Sequence, residues 1–204
     1  VLMPDSKMSV SERRPLEQMP EFSMETIASG KFTGGFEGYS ADQFPLRDTF
    51  RRIKAYAVYY LFRQGDNNDV YIKDGYASKL EYPMNENSLN RAAQVFKKVY
   101  DKYLSESRVY FSIIPDKNAF MAQQNGYPSM DYAEFAEIMA QSTSFMEYIP
   151  IEHLLELEDY YRTDTHWRQE RIVDVAKHLA GAMGVELKGT YIENELDRPF
   201  YGVY

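Results

Sequence analysis

The residues of this chain whose types and spacing suit chemistry are Asp164 and His166, inside the stretch Tyr160-Tyr161-Arg162-Thr163-Asp164-Thr165-His166-Trp167. In an extended or turning segment, residues i and i+2 point the same way. Asp164 can then accept the Nδ1 proton of His166 and leave Nε2 facing a substrate, which is the base half of a hydrolase triad. Thr163 and Asp164 have the composition of a helix N-cap region. The pair is therefore expected on a loop that feeds a helix, where a rigid scaffold commonly carries catalytic groups. Trp167, the only tryptophan, either screens the imidazole from water or anchors the core.

Each of these residues also has a plain reading. An Asp two residues from a His is a common local turn pair. His153 could join Asp164 and His166 around a metal, but the spacing matches no common zinc motif, and no metal is expected. His178 lies opposite the apolar stripe of its helix and reads as a solvated residue. Glu152, Glu156, Glu158 and Asp159 read as an acidic, solvated helix end. The 18 tyrosines suit stacking on sugar rings and suit a core equally well.

Composition narrows the classes. The absence of cysteine from the 204 residues excludes disulfides, thiolate metal sites and a thiol nucleophile. A net charge of −8 with no basic stripe argues against nucleic acid or an anionic membrane as partner. No apolar run approaches the ~18 residues that a membrane span needs, and no cofactor is expected. With 44% hydrophobic and 26% charged residues, the chain is long enough for one sizeable core. A start at Val1 with no Met before it reads as a trimmed chain, from which a leader or membrane anchor has been removed.

The elements that must position the pair follow from periodicity. Residues 1–46, broken by Pro4, Pro15, Pro20, Pro45 and by Gly30, Gly34, Gly35 and Gly38, read as an irregular arm with one short helix near residues 24–29. Phe50, Ile53, Ala57, Tyr60 and Leu61 recur at helical spacing, and Gly65 ends that pattern. Asp74-Gly75 predicts a hairpin within residues 70–82. A second helix starts near Asn87, carries Leu89, Ala92, Ala93, Phe96 and Val99 on one stripe, and is expected to pack on a sheet. Residues 108–114 form an apolar, β-branched and aromatic run stopped by Pro115, which predicts a central parallel strand with helices on both faces. A helix capped by Asp116, another over residues 131–141 and a short strand at 145–149 come next. The last helix spans residues 168–183, with Ile172, Val173, Ala176, Leu179, Ala180 and Met183 inward and Gly184 just past its end.

These segments carry a resemblance. Thr163-Asp164-Thr165-His166-Trp167 is similar to the signature of the alginate O-acetyltransferase type of SGNH-hydrolase-like proteins and of the related DHHW family, which has His where this chain has Thr165. Ser11-Glu12-Arg13-Arg14-Pro15-Leu16, Met19-Pro20-Glu21-Phe22-Ser23, Ser29-Gly30-Lys31-Phe32 and Asp42-Gln43-Phe44-Pro45-Leu46-Arg47 resemble that family's opening, which usually has Asn where Arg13 stands. The strand ending in Pro115-Asp116-Lys117 is similar to the family's central strand.

The resemblance implies an α/β fold, an SGNH-hydrolase-like three-layer sandwich with a mainly parallel sheet. To it are added a small β-hairpin and an N-terminal arm over residues 1–46 packed on the core, with residues 47–204 as the N-terminal portion of the SGNH-like domain. It implies an extracytoplasmic O-acetyltransferase or acetylesterase acting on a bacterial polysaccharide, with a polysaccharide or an acetyl-donor protein as partner. Membrane anchoring would come only through segments absent from this chain. Carried over, His166 is the general base and Asp164 its orienting carboxylate, with Trp167 and Arg162 as candidate substrate-binding residues. In these relatives a serine follows much later, commonly in a Gly-Asp-Ser-like turn. No such turn occurs here and no serine follows His166. The expectation is therefore either a fragment of a longer protein or a chain that has lost its nucleophile. The alternatives are a catalytically inactive glycan-binding or assembly protein of the same fold, and a structural domain in which the pair only fixes a loop.

Overall fold

The computed structural model describes residues 4–195, 197 and 200–204, a mixed α/β chain with seven helices and three small two-stranded sheets among them. It divides into two compact units, residues 1–68 with 203–204, and residues 69–202. Among the described residues no helix is long and apolar enough to cross a membrane.

In the first unit, β1 (Met8–Ser9) pairs antiparallel with β2 (Arg14–Pro15). Helix α1 (Met24–Ala28) is opened by a capping box in which the Ser23 hydroxyl accepts from Thr26 N–H and Thr26 Oγ1 accepts from Ser23 N–H; this satisfies two of the donors that a helix start leaves orphaned. The reading of residues 1–46 as otherwise irregular is corrected by α2 (Lys31–Asp42), a twelve-residue helix containing Gly34, Gly35 and Gly38. Two of these glycines mark close approach. A Cβ on Gly35 would come to 3.0 Å from the Pro20 ring, and one on Gly38 to 3.2 Å from the Glu17 side chain.

Gly34 has nothing within 4 Å of such a Cβ, and its loss of backbone entropy is uncompensated. Gly34→Ala should therefore stabilise the protein by about 0.5–1 kcal/mol, whereas Gly35→Ala should gain less or lose. Thermal unfolding of both variants checks the order.

The end of α2 is tied to β2 by charge. Asp42, buried, accepts from both terminal nitrogens of Arg14 at 2.8 and 2.6 Å and from Glu17 N–H at 2.9 Å. The Arg14 guanidinium, then the Glu17 amide, hold its carboxyl well below the usual carboxylate range. Arg47 bridges to Glu12 at 2.7 Å. Helix α3 (Arg47–Tyr56) runs on into a π-helical turn, Ala57–Leu61. Its apolar stripe, expected to be covered, is largely exposed: Phe50, Ile53, Tyr60 and Leu61 all lie open, and Val58 is the buried member of this stretch.

In the second unit, β3 (Val70–Lys73) and β4 (Tyr76–Lys79) form the predicted hairpin, with Lys73 opposite Tyr76 across a two-residue turn. Asp74 (φ 49°) and Gly75 (φ 81°) both take positive φ, as a type I′ turn requires to match the strand twist. Helix α4 (Glu86–Val99) is capped by Asn85 and buries Leu89 and Ala93, and it ends in a π-helical turn, Tyr100–Leu104. Its main packing partner is α6 (Tyr132–Ser142), capped by Asp131, not a sheet.

The apolar run at residues 108–114 gives only β5 (Tyr110–Phe111), paired in parallel with β6 (Glu147–Tyr148). Between them lie α5 (Asn118–Met121) and α6. The expected central strand is thus corrected to one member of a two-stranded parallel pair, half-buried rather than sandwiched. A central strand needs a partner on each edge, and the described residues bring only β6 to it, because the other strand-forming run is used in the hairpin. Helix α7 (Val173–Ala182) closes the unit with Gly184 in the left-handed region past its end. Val175 is its most buried residue, while Met183, expected inward, is exposed. Under it lies a core of Ile151, Leu155 and Val175, flanked by Phe120, Trp167 and Leu179.

Candidate active site

The Asp164 loop is closed at its base. Tyr160 and Trp167 form an antiparallel bridge, Tyr161 N–H donates to His166 O at 3.1 Å and Arg168 N–H to Asp159 O at 2.6 Å. Trp167 packs on the Ile151/Leu155/Val175 core, and the Tyr160 hydroxyl, buried, donates to Pro115 O at 2.5 Å. The loop is thereby set against the segment that follows β5, the side of a parallel strand where α/β sites form.

Within the loop, one oxygen does two things. Asp164 Oδ1 accepts from the backbone N–H of His166 at 3.1 Å and lies 2.5 Å from His166 Nδ1. The first bond fixes the turn and the second fixes the ring. An acceptor-only carboxylate facing Nδ1 selects the Nδ1–H tautomer of a neutral imidazole, leaving the lone pair on Nε2. Asp164 is 0% exposed and the His166 side chain 79% exposed, so the carboxylate is withheld from water while Nε2 is open to a reactant. A neutral, oriented imidazole with a free Nε2 can take a proton from a hydroxyl in hydrogen-bond reach.

The floor of the loop is a residue that sequence periodicity did not single out. Lys117 is 2% exposed, yet its ammonium donates to Tyr161 O and to Arg162 O, both at 3.0 Å. Burial pushes its amine down to about 8, against the pull of the Asp164 and Asp116 carboxylates. The available signal was a lysine two residues after a strand-ending proline, at the end of the strand where sites form.

Arg162 and Trp167, the candidate substrate-binding residues, are both engaged locally. The guanidinium of Arg162 lies over the Tyr76 ring at 5.6 Å, and its carbonyl accepts from Ala77 N–H on β4 at 2.8 Å. Trp167 is half-buried on the core described above. At the loop's other edge, the Phe200 ring meets Tyr161 at 4.6 Å and Gly202 N–H donates to Thr163 Oγ1 at 3.0 Å.

The remaining candidates fall elsewhere. His153 meets the half-buried His178 edge to face at 5.4 Å, which corrects the reading of His178 as a solvated residue. Among the described residues no group of three or more His, Cys, Asp or Glu is placed to hold a metal. Asp159, read as part of a solvated acidic end, is buried and bound to Arg171 Nε at 3.1 Å and to Glu156 N–H at 2.9 Å. A surface groove of about 370 Å³ lies around Glu156, Asp159, Glu170 and Arg171, and His166 is not among its walls.

The buried amine gives stability an unusual pH dependence. Lys117 titrates near 8 when folded and near 10.5 when unfolded, so between those values the unfolded chain binds more protons and stability rises with pH. Its contribution, about 3 kcal/mol by linkage, is complete above the unfolded value and lost as pH falls through 8. Tyr71 and Tyr148, pushed up to about 12 by burial, act oppositely, and their stability is present below pH 10 and lost as pH rises through 12. Denaturant midpoints should therefore climb from pH 7.5 to 10 and then decline. In Lys117→Met the climb should flatten.

Comparison of the chain with protein-family models, with curated proteins and with solved structures finds no match to any of them.

Proposed function

We propose that this chain carries the base half of a Ser-His-Asp acyl-transfer site: an extracytoplasmic SGNH-like O-acetyltransferase or acetylesterase acting on a bacterial polysaccharide. The observation that supports it is the buried Asp164 carboxylate 2.5 Å from Nδ1 of the exposed His166. In the reaction a serine hydroxyl attacks the acetyl carbonyl, His166 Nε2 takes its proton, and the same proton returns to the departing oxygen as the acyl-enzyme forms. Asp164 holds the tautomer throughout.

The nucleophile in this reading is a serine outside residues 1–204. The parallel β5–β6 pair, joined through α5 and α6, would be part of an SGNH-like three-layer sheet completed outside the same residues. The polysaccharide, the acetyl-donor partner and the extracytoplasmic location rest on the resemblance of the Thr163–Trp167 string and the N-terminal segments. The test is nitrophenol release from an acetyl ester: residues 1–204 alone should turn over no faster than their His166→Ala variant, and a chain bearing the serine should depend on both site residues.

A second reading, a catalytically silent glycan-binding protein of the same fold, is favoured by the exposed Tyr56 and Tyr60 rings, 4.8 Å apart on one helix face. Such a pair offers a sugar a stacking platform. Glycan binding lost in Tyr60→Ala and untouched in His166→Ala, without ester cleavage in any chain, would select it.

A further inference from the structure

We infer that Lys117 is a positioning residue of the Asp164–His166 pair, tying the loop through the carbonyls of Tyr161 and Arg162 and setting a buried positive charge within reach of Asp164. The inference rests on reading His166 as a general base and adds the group that tunes it.

A carboxylate bound to an imidazole orients it but also draws a proton onto it. A base that is already protonated cannot accept another. Asp164 is fully buried, so its field on the ring is poorly screened by water. A cation near that carboxylate offsets part of the field and leaves the hydrogen bond in place. Lys117 is built for this. It is buried, its ammonium is fixed by two carbonyls three and two residues before Asp164, and Asp164 is the carboxylate acting most on its charge. A residue serving only to pin the loop would not need a buried charge, which is costly to desolvate.

Among the described residues, other charged and titratable groups also act near the amine. Asp116 precedes it in sequence and acts on its charge. Asp116 itself accepts from the Tyr132 hydroxyl and from Asn118 N–H, with Glu81 acting on it. Tyr160 and the Arg162 guanidinium, the latter on Tyr76, belong to the loop side. All of these remain in the variants below, so a difference between variants reports the Lys117–Asp164–His166 coupling.

Two substrate-free NMR titrations of the 204-residue chain test it. In Lys117→Met, which keeps the stem and removes the charge, the titration midpoint of the His166 ring should rise by about one pH unit, a tenfold gain in proton affinity. In Asp164→Asn the Lys117 Nζ midpoint should fall below its wild-type position, because the carboxylate that favours the ammonium is gone. The second variant keeps Lys117 and decides the matter if Lys117→Met does not fold. A lysine that only fills space under the loop would leave both midpoints where they are, and that result overturns the inference. Because neither titration uses a substrate, a failed ester assay would sink the proposed function and leave this coupling standing.

Discussion

In a chain that carries its serine, His166→Ala should lower acetyl-ester cleavage by about 10⁴-fold or more, because the members of a triad act as a unit and loss of the base removes the covalent step. Asp164→Asn should cost about 10⁴-fold, for a different reason. The same Asp164 Oδ1 accepts the His166 backbone N–H at 3.1 Å and faces Nδ1, and Asn offers at that place either a neutral oxygen or an NH2 group. Facing Nδ1, however, an amide no longer enforces the Nδ1–H tautomer as a carboxylate does, and Nε2 can carry the proton instead of the lone pair. Both losses should appear in kcat with unchanged unfolding midpoints for His166→Ala, whose side chain is largely exposed. Cleavage undiminished in His166→Ala would place the chemistry on another residue.

Ile151→Ala should destabilise the protein by about 3 kcal/mol, within the range for truncating a buried Ile, and Ile151→Val by about 1 kcal/mol. Ile151 is 0% exposed and meets Leu155 and Val175, with Trp167 against the same cluster. The cavity left by Ala opens under the residue that closes the base of the Asp164 loop. Denaturant unfolding should show a lower midpoint at constant slope. A loss below 1 kcal/mol for the Ala variant would mean that this cluster does not hold the loop's base.

What could be read from the sequence was what local chemistry dictates. Asp74-Gly75 announced the hairpin because a two-residue I′ turn demands positive φ at both positions. Helix α6 was announced by its amphipathic pattern over residues 131–141, and the structure adds the cap, with Asp131 accepting from Ala133 and Glu134 N–H. Asp164 and His166 were legible because a spacing of two in a turn puts both side chains on one side. Three features lay beyond that reach. Helix α2 was hidden by glycines whose reason is non-local, the approach of Pro20 and Glu17. Strand length depends on partners distant in sequence, so the apolar run at 108–114 looked longer as a strand than its single pairing with β6 makes it. Lys117 drew no role beyond the Pro115-Asp116-Lys117 likeness, because only the folded loop brings the Tyr161 and Arg162 carbonyls to its ammonium.

The central claim is that Asp164 holds His166 with Nδ1 protonated and Nε2 free. The direct measurement is the nitrogen-15 spectrum of the His166 ring, recorded at a pH where the ring is neutral. The geometry requires a protonated-type Nδ1 and an unprotonated-type Nε2, with the Nδ1 signal losing that character in Asp164→Asn. A wild-type ring with its proton on Nε2, or with the two nitrogens averaged by free exchange, would contradict the claim.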